Sequence, residues 1–256
     1  MSDMWEKMYD INMAIRKIPF VPGEYYHIYN RGNSKQKIFL DDSDYHHFVQ
    51  CLFICNTYKN FKFRDDIVDQ QIDAFDFERG ETLVSIGAWV LMPNHFHIYL
   101  TMKATPHMSD MWGVEEGKNQ ISEFMRKLST AYSKYFNSKY QRTGSLFEGS
   151  FKSELVSKDT HAKYLFSYIH LNPLKLIDKN WKDSGVKSIK VALEFLDNYK
   201  WSSYVDHRRI DRKERVILEI SDFPKYFRNS SDLNAEILDW IAPHVGHVGT
   251  RARSGK

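Results

Sequence analysis

Long apolar runs are missing from this chain of 256 residues, and without some 18 consecutive apolar positions no membrane-spanning helix is expected. Cysteine is almost absent. The two present, Cys51 and Cys55, stand four apart inside a helical pattern, which fits core packing in a reducing compartment better than a disulfide; two cysteines alone make no zinc site. No signal-peptide pattern opens the sequence, so a soluble cytoplasmic protein is expected. There is no Gly-rich phosphate loop, no dinucleotide fingerprint and no Ser-hydrolase elbow, which argues against an ATPase, a dehydrogenase or an α/β-hydrolase. Excess charge is also lacking: a net charge of +3 says little about nucleic acid, and only the distribution of charge is informative.

What is present is aromatic. Phe, Tyr and Trp make up 15% of the chain, enough to exclude disorder, and the length allows a substantial core. Met4, Trp5, Met8, Ile11 and Ile15 predict a short amphipathic helix ended by Pro19 and Pro22. Tyr25 to Asn30 reads as a strand closed by the turn residues Arg31-Gly32-Asn33. An acidic helix start at Asp41 to Asp44 precedes a helical pattern to Tyr58. Residues 61–80, with six acidic against three basic side chains, read as an exposed insertion. A long helix is predicted over Gln120 to Tyr140, with Ile121, Phe124, Met125, Leu128 and Tyr132 on its apolar side, and a broken strand over Gly144 to Val156. Met-Ser-Asp-Met-Trp occurs in full at residues 1–5 and again at 108–112; a match this short is not a repeat architecture. Further helices are expected near 186–196 and 231–241, followed by a basic tail.

Two stretches carry chemistry. In Leu83 to Met102 two strand-like runs flank the turn Met92-Pro93-Asn94, and the second begins His95-Phe96-His97. Strand alternation puts both imidazoles on one face, about 7 Å apart, a spacing that suits one divalent metal. The second stretch, Asp159 to Leu171 followed by Asn172-Pro173, reads as a helix with Leu165, Phe166 and Ile169 packed inward. Tyr164, Tyr168 and Asn172 recur every four residues along one side. A phenol with an amide one turn away can bring a nucleophile and a third ligand to one ion. Two His and one Asn form a mixed nitrogen and oxygen set that suits Mg²⁺ or Mn²⁺. Such a set fits attack of a phenol on a backbone phosphate, with bond energy kept in a phosphotyrosine link. Each residue also has a plain reading: a hydrogen-bonded His, a Tyr at the edge of a core, an Asn ending a helix before Pro.

At this point the chain resembles the IS200-like single-tyrosine (Y1) transposases of the HUH nuclease superfamily, and within them the REP-associated tyrosine transposase branch. The resemblance spans about residues 22–205. It rests on Tyr26-His27-Ile28-Tyr29-Asn30-Arg31-Gly32-Asn33, Trp89 to His97 (WVLMPNHFH), Gly144-Ser145-Leu146-Phe147, Tyr168 to Lys175 (YIHLNPLK) and Trp201-Ser202-Ser203-Tyr204. It implies His95, His97 and Asn172 as metal ligands and Tyr168 as nucleophile, with Tyr164 the rival. It implies an α+β fold, a ferredoxin-like central antiparallel sheet with helices packed on it; the 61–80 segment and the region beyond about 176, which reads as a mostly helical C-terminal extension, exceed that core. The corresponding division is an N-terminal helical extension (1–21), a catalytic domain (22–175) carrying the 61–80 insertion, and an extension (176–256). The implied partner is single-stranded DNA with a hairpin, and the implied state a monomer or a homodimer.

Between Arg126 and Lys163 eight Lys or Arg face three acidic residues, with aromatics interleaved, a composition that suits phosphate contact and base stacking. Arg31, Lys127, Lys134, Arg142 and Lys152 are the candidate DNA contacts. Beside a strand transferase, two other functions fit less well. One is a domesticated hairpin-binding protein that does not cut. The other is a metal-dependent hydrolase of a non-nucleic substrate, which the aromatic and basic stretch disfavours.

Overall fold

The computed structural model describes residues 19–103, 119–208, 211–226 and 230–242. The helix expected before Pro19, the loop 104–118 and the basic tail lie outside them. Four strands form one sheet: β1 (Tyr25–Arg31), β2 (Val84–Met92), β3 (His95–Met102) and β4 (Lys152–Leu155). Helix α1 (Asp42–Ile54) connects β1 to β2, and α2 (Gln120–Lys139) connects β3 to β4. Every neighbouring pair is antiparallel, in the order β2-β3-β1-β4. A β-α-β-β-α-β chain in this order is the ferredoxin-like plan, as the sequence leads one to expect.

Local chemistry sets the helix starts. Asp41 caps α1, its carboxylate accepting from the backbone N–H of Ser43 and Asp44, while the Asp44 carboxylate accepts from Asp41 N–H. Asn119 does the same for α2 by accepting from Ile121 and Ser122. The acidic 61–80 segment forms a wide turn at Arg64–Val68 and a short 3-10 turn at Ala74–Asp76, with Ile67 and Ala74 buried beneath them. Cys51 and Cys55 are free and buried.

The sheet is covered on both faces. Ile28, Trp89, Leu91, Phe96, Ile98 and Leu100 join α1 and α2 in one core. Ala88, Val90, Met92 and Tyr99 join a second core with α3 (Asp159–Leu171), α5 (Ile189–Asn198), α6 (Tyr204–His207) and α7 (Ser230–Ile241); α4 (Trp181–Ser184) lies between α3 and α5 in sequence. Double coverage explains why all nine residues of β2 are buried. The free edge of β2 is closed as well: Leu91 N–H donates to Trp201 O at 2.9 Å, Ser203 N–H to Trp89 O at 2.9 Å and Glu219 N–H to Ile86 O at 3.0 Å.

β2 carries one irregularity, a register shift around Gly87 between Ile86 and Ala88. A Cβ at Gly87 would stand 2.9 Å from the Phe223 ring, which is wedged against Tyr25 and Tyr99 at centroid distances of 5.3 and 5.1 Å. Gly87→Ala is therefore expected to destabilise the fold by about 1–3 kcal/mol through overpacking, read as a lowered melting temperature; an unchanged melt would show that Phe223 can give way.

Burial also makes the fold sensitive to acid. Desolvation brings the His47 imidazole, stacked on Tyr135, down to about 4, and does the same to His207, whose Nε2–H donates to Gly87 O at 3.0 Å. Below about 6.5 the unfolded chain takes up protons that these two folded positions refuse, so their contribution to stability falls between about pH 6.5 and 4. At about 1.4 kcal/mol per pH unit, the two can together cost several kcal/mol. Urea melts at pH 7 and 4.5 are expected to show that loss, and a His47→Gln/His207→Gln double variant to show less of it.

Candidate functional site

The turn Pro93-Asn94 places His95 and His97 on the second face of the sheet, beneath α3. Cross-strand partners share a face, so the register puts Arg31 beside His95, Tyr29 beside His97, Lys152 beyond Tyr29, and His27 beside Glu154. The rings of His95 and His97 lie edge to face with centroids 5.1 Å apart. His95 Nδ1 meets Asn94 Oδ1 at 2.7 Å, and His97 Nδ1 meets His27 Nε2 at 2.8 Å. Both imidazoles are thus gripped at Nδ1, and the Nε2 of His97 is buried without a hydrogen-bond partner.

Helix α3 has no side-chain cap at its start, and its end does not stop at Asn172. The chain stays in the right-handed helical region and tightens into a 3-10 turn over Asn172–Leu176, with Pro173 at a first-turn position where its missing N–H costs nothing. Leu165, Phe166 and Ile169 are buried, which aims Tyr168 at the sheet: its ring stands edge-on to His97 at 5.4 Å and to His27 at 6.5 Å. Tyr164, the rival, is 48% exposed and packs on Trp240 instead. Asn172 is fully buried, and neither atom of its amide makes a hydrogen bond of ordinary geometry. The His95 and His97 imidazoles and the buried Asn172 amide beside Tyr168 are of the donor types that a divalent cation of the Mg²⁺ or Mn²⁺ type accepts. Among the described residues no group of three His, Cys, Asp or Glu is placed to hold a metal, so such a site depends on the amide.

The electrostatics are those of a desolvated cationic pocket. Burial brings His95 down to about 4 and pushes His97 well below the ordinary histidine value, helped by Lys175 and Lys182. Lys182 is brought down to about 8 by burial and by Lys175, and its ammonium sits 4.0 Å from the centre of the Tyr168 ring. Burial raises the Tyr168 phenol, while the nearby Asn172 amide pulls it back. Glu154, across the sheet from His27, is held down at about 2 by His27 and Tyr29.

The candidate DNA contacts divide between the two layers. Arg31 and Lys152 share the histidine face, although Arg31 is already paired to Glu148. Lys127 and Lys134 lie on α2, in the other layer. The ammonium of Lys127 is spent on Thr57 O and Lys59 O, whereas Lys134 lines an open groove with Ser129, Ser133, Asn137 and Phe147. Arg142 lies over the Phe136 ring at 5.5 Å. Of the aromatics offered for base stacking, Phe124, Tyr132, Phe136 and Phe147 are core residues. His27, Tyr29, Glu154, Lys175 and Lys182 were not singled out in the sequence. Their role follows from strand register and from an irregular turn, neither of which leaves a periodic signal.

Fold and site together define a ferredoxin-like α+β sandwich with a His-His-Tyr-Asn cluster on its second face. No family model matches the chain, and comparison with curated proteins finds no match. Among solved structures the chain is similar to one described as a REP-associated tyrosine transposase bound to a REP hairpin, at 14% identity and a TM-score of 0.45, over 83% of this chain and 92% of that one. At that distance the likeness is too loose to assign a role, and the residues themselves must carry it.

An unpaired, fully buried amide weakens a fold. Asn172→Leu, similar in size and apolar, is expected to melt at or above the temperature of the unchanged protein. A clear drop would mean that the amide is structural and not kept for a ligand.

Proposed function

We propose that this chain is a metal-dependent single-stranded DNA endonuclease and strand transferase acting through Tyr168. The observation that carries this reading is the approach of the Tyr168 ring to His97 at 5.4 Å, with the buried Asn172 amide beside the phenol, drawn from β3, α3 and the turn after it. The five ordered motifs that resemble single-tyrosine transposases point the same way, and give single-stranded DNA folded into a hairpin as the substrate.

In the reaction the Tyr168 oxygen bonds to a backbone phosphorus while the bond from phosphorus to the 3′-oxygen breaks. The 5′-phosphate remains on the tyrosine, the phenol proton is lost to solvent, and the departing 3′-oxygen takes up a proton. One phosphodiester replaces another, so the reverse attack by a 3′-hydroxyl rejoins strands without ATP. Burial raises the phenol's pKa and so favours its protonated form in the resting protein, and the proton must leave as the oxygen attacks phosphorus. Lys175 and Lys182 offer positive charge beside the ring to hold the phosphate. A divalent ion held by His95, His97 and Asn172 would supply Lewis-acid polarisation of a non-bridging phosphoryl oxygen. The covered face limits water at the reacting atoms, which favours strand transfer over hydrolysis.

The test is a covalent-adduct assay on a denaturing gel, using labelled single-stranded hairpin oligonucleotides with Mn²⁺, Mg²⁺ or EDTA. The expected result is a metal-dependent shifted band that is lost in Tyr168→Phe and kept in Tyr164→Phe. Tight hairpin binding with no adduct would replace the transferase with a binding protein that does not cut, and no binding at all would remove DNA from the reading.

A further inference from the structure

The two imidazoles of the site are oriented by different devices. For His95 the partner is an amide whose orientation is itself fixed: Asn94 Nδ2 donates to Lys35 O at 3.2 Å, so Asn94 presents its oxygen to the ring and His95 Nδ1 must carry the proton. For His97 the partner is another imidazole, and two imidazoles joined at 2.8 Å share a single proton between Nδ1 of one and Nε2 of the other. Which ring carries it is decided at the far side of His27. There the Nδ1 of His27 faces Glu154 Oε2 at 3.8 Å, while the other carboxylate oxygen of Glu154 accepts from the Tyr29 hydroxyl at 2.9 Å.

A carboxylate at that end favours the proton on His27 Nδ1. His27 Nε2 is then an acceptor, the shared proton belongs to His97 Nδ1, and His97 Nε2 is left as a lone pair. That atom is the one found buried and without a partner. The opposite arrangement would put a hydrogen on His97 Nε2, where among the described residues nothing accepts it, at a cost of about 1–3 kcal/mol for a buried unsatisfied donor.

We infer that His27, backed by Glu154 and Tyr29, is a positioning residue that sets the His97 tautomer and so turns its Nε2 lone pair toward the cation and the reacting phosphate. The inference deepens the proposed function and rests on its reading of His97 as a ligand. In that reading β1 and β4 together contribute an imidazole and a carboxylate, a relay to a site whose direct groups come from β3, α3 and the turn after it. Outer partners of this kind fix ring orientation and raise ligand basicity.

The experiment uses the full chain with ¹⁵N-labelled histidine, first without metal. Long-range ¹H–¹⁵N correlations report which nitrogen of each ring is protonated, and loss of one set in His97→Gln assigns His97. The expected result is a proton on Nδ1 of His97. In His27→Phe that preference is expected to be lost and Mn²⁺ affinity, titrated calorimetrically, to fall about 10–100-fold. His27→Gln, whose amide oxygen can accept from His97 Nδ1, should recover part of both. Glu154 is exposed on its outer side, so Glu154→Ala should fold whatever His27→Phe does, and is expected to shift the tautomer and weaken Mn²⁺ binding less than His27→Phe. A proton on His97 Nε2 in the unchanged protein would overturn the inference. So would an unaltered tautomer and affinity in folded His27→Phe or Glu154→Ala. Failure of the unchanged protein to bind Mn²⁺ would instead overturn the cation reading of the proposed function, and the metal-free spectra would still decide the relay.

Discussion

Alternation along β3 sends successive side chains into two different cores, and the candidate site exists because the second of these is closed. Phe96, Ile98 and Leu100 enter the layer of α1 and α2, while His95, His97 and Tyr99 point the other way. In an uncovered ferredoxin-like sheet those histidines would be hydrated surface groups with ordinary basicity. Here α3 and the C-terminal helices lie over them, and burial is the leading cause of the depressed basicity of both. One-residue slippage of β3 would put the imidazoles among Phe48, Phe96 and Tyr132, so the apolar pattern that fixes register also fixes the chemistry.

Closing a polar cluster into a covered face is unfavourable unless its charges are matched, and here they are matched only in part. Glu154 is satisfied by Tyr29 and His27 on the β4 side. On the α3 side burial lowers the basicity of both Lys175 and Lys182, and the neighbouring Asp183 offsets this only in part at Lys182. A desolvated pair of ammonium groups beside neutral imidazoles leaves a local excess of positive charge, which an anion such as a phosphate would relieve. Binding such an anion would raise the Lys182 basicity again, while its own charge would oppose a deprotonated Tyr168 unless a cation offsets it. The relevant charge is local, because a net charge of +3 over 256 residues carries none of this information.

The elements were legible in the sequence wherever one periodicity ran uninterrupted. Helix α3 occupies Asp159–Leu171 as its apolar spacing requires, and the His-Phe-His alternation correctly put both imidazoles on one face. Tyr168 and Tyr164, four residues apart on one helix, have different surroundings: one ring meets His97 and the other meets Trp240. Long-range partners were not legible. His27 lies in a strand that reads well, but its approach to His97 depends on β1 pairing with β3 and not with β2, a choice made by topology. The basic and aromatic stretch misled in part for a related reason: helix α2 must bury one side against the sheet, so several of its rings are core, and Lys127 is consumed by carbonyls at the end of α1.

The chain beyond the sheet also determines where Tyr168 stands. Ser203 bridges two elements: its hydroxyl oxygen accepts from Trp89 N–H at 2.9 Å and lies 2.8 Å from His170 Nε2. Trp89 belongs to β2, the neighbour of the histidine strand, and His170 lies two residues beyond Tyr168 on α3. A residue outside the ferredoxin-like core therefore pins the Tyr168 helix to the sheet through one buried hydrogen-bonded junction. The same segment closes the β2 edge through Trp201 and Ser203. Edge protection and the placement of Tyr168 thus share their structural parts. Loosening residues 201–204 would expose an apolar strand edge and, in the same motion, release the tether that sets the distance between Tyr168 and His97.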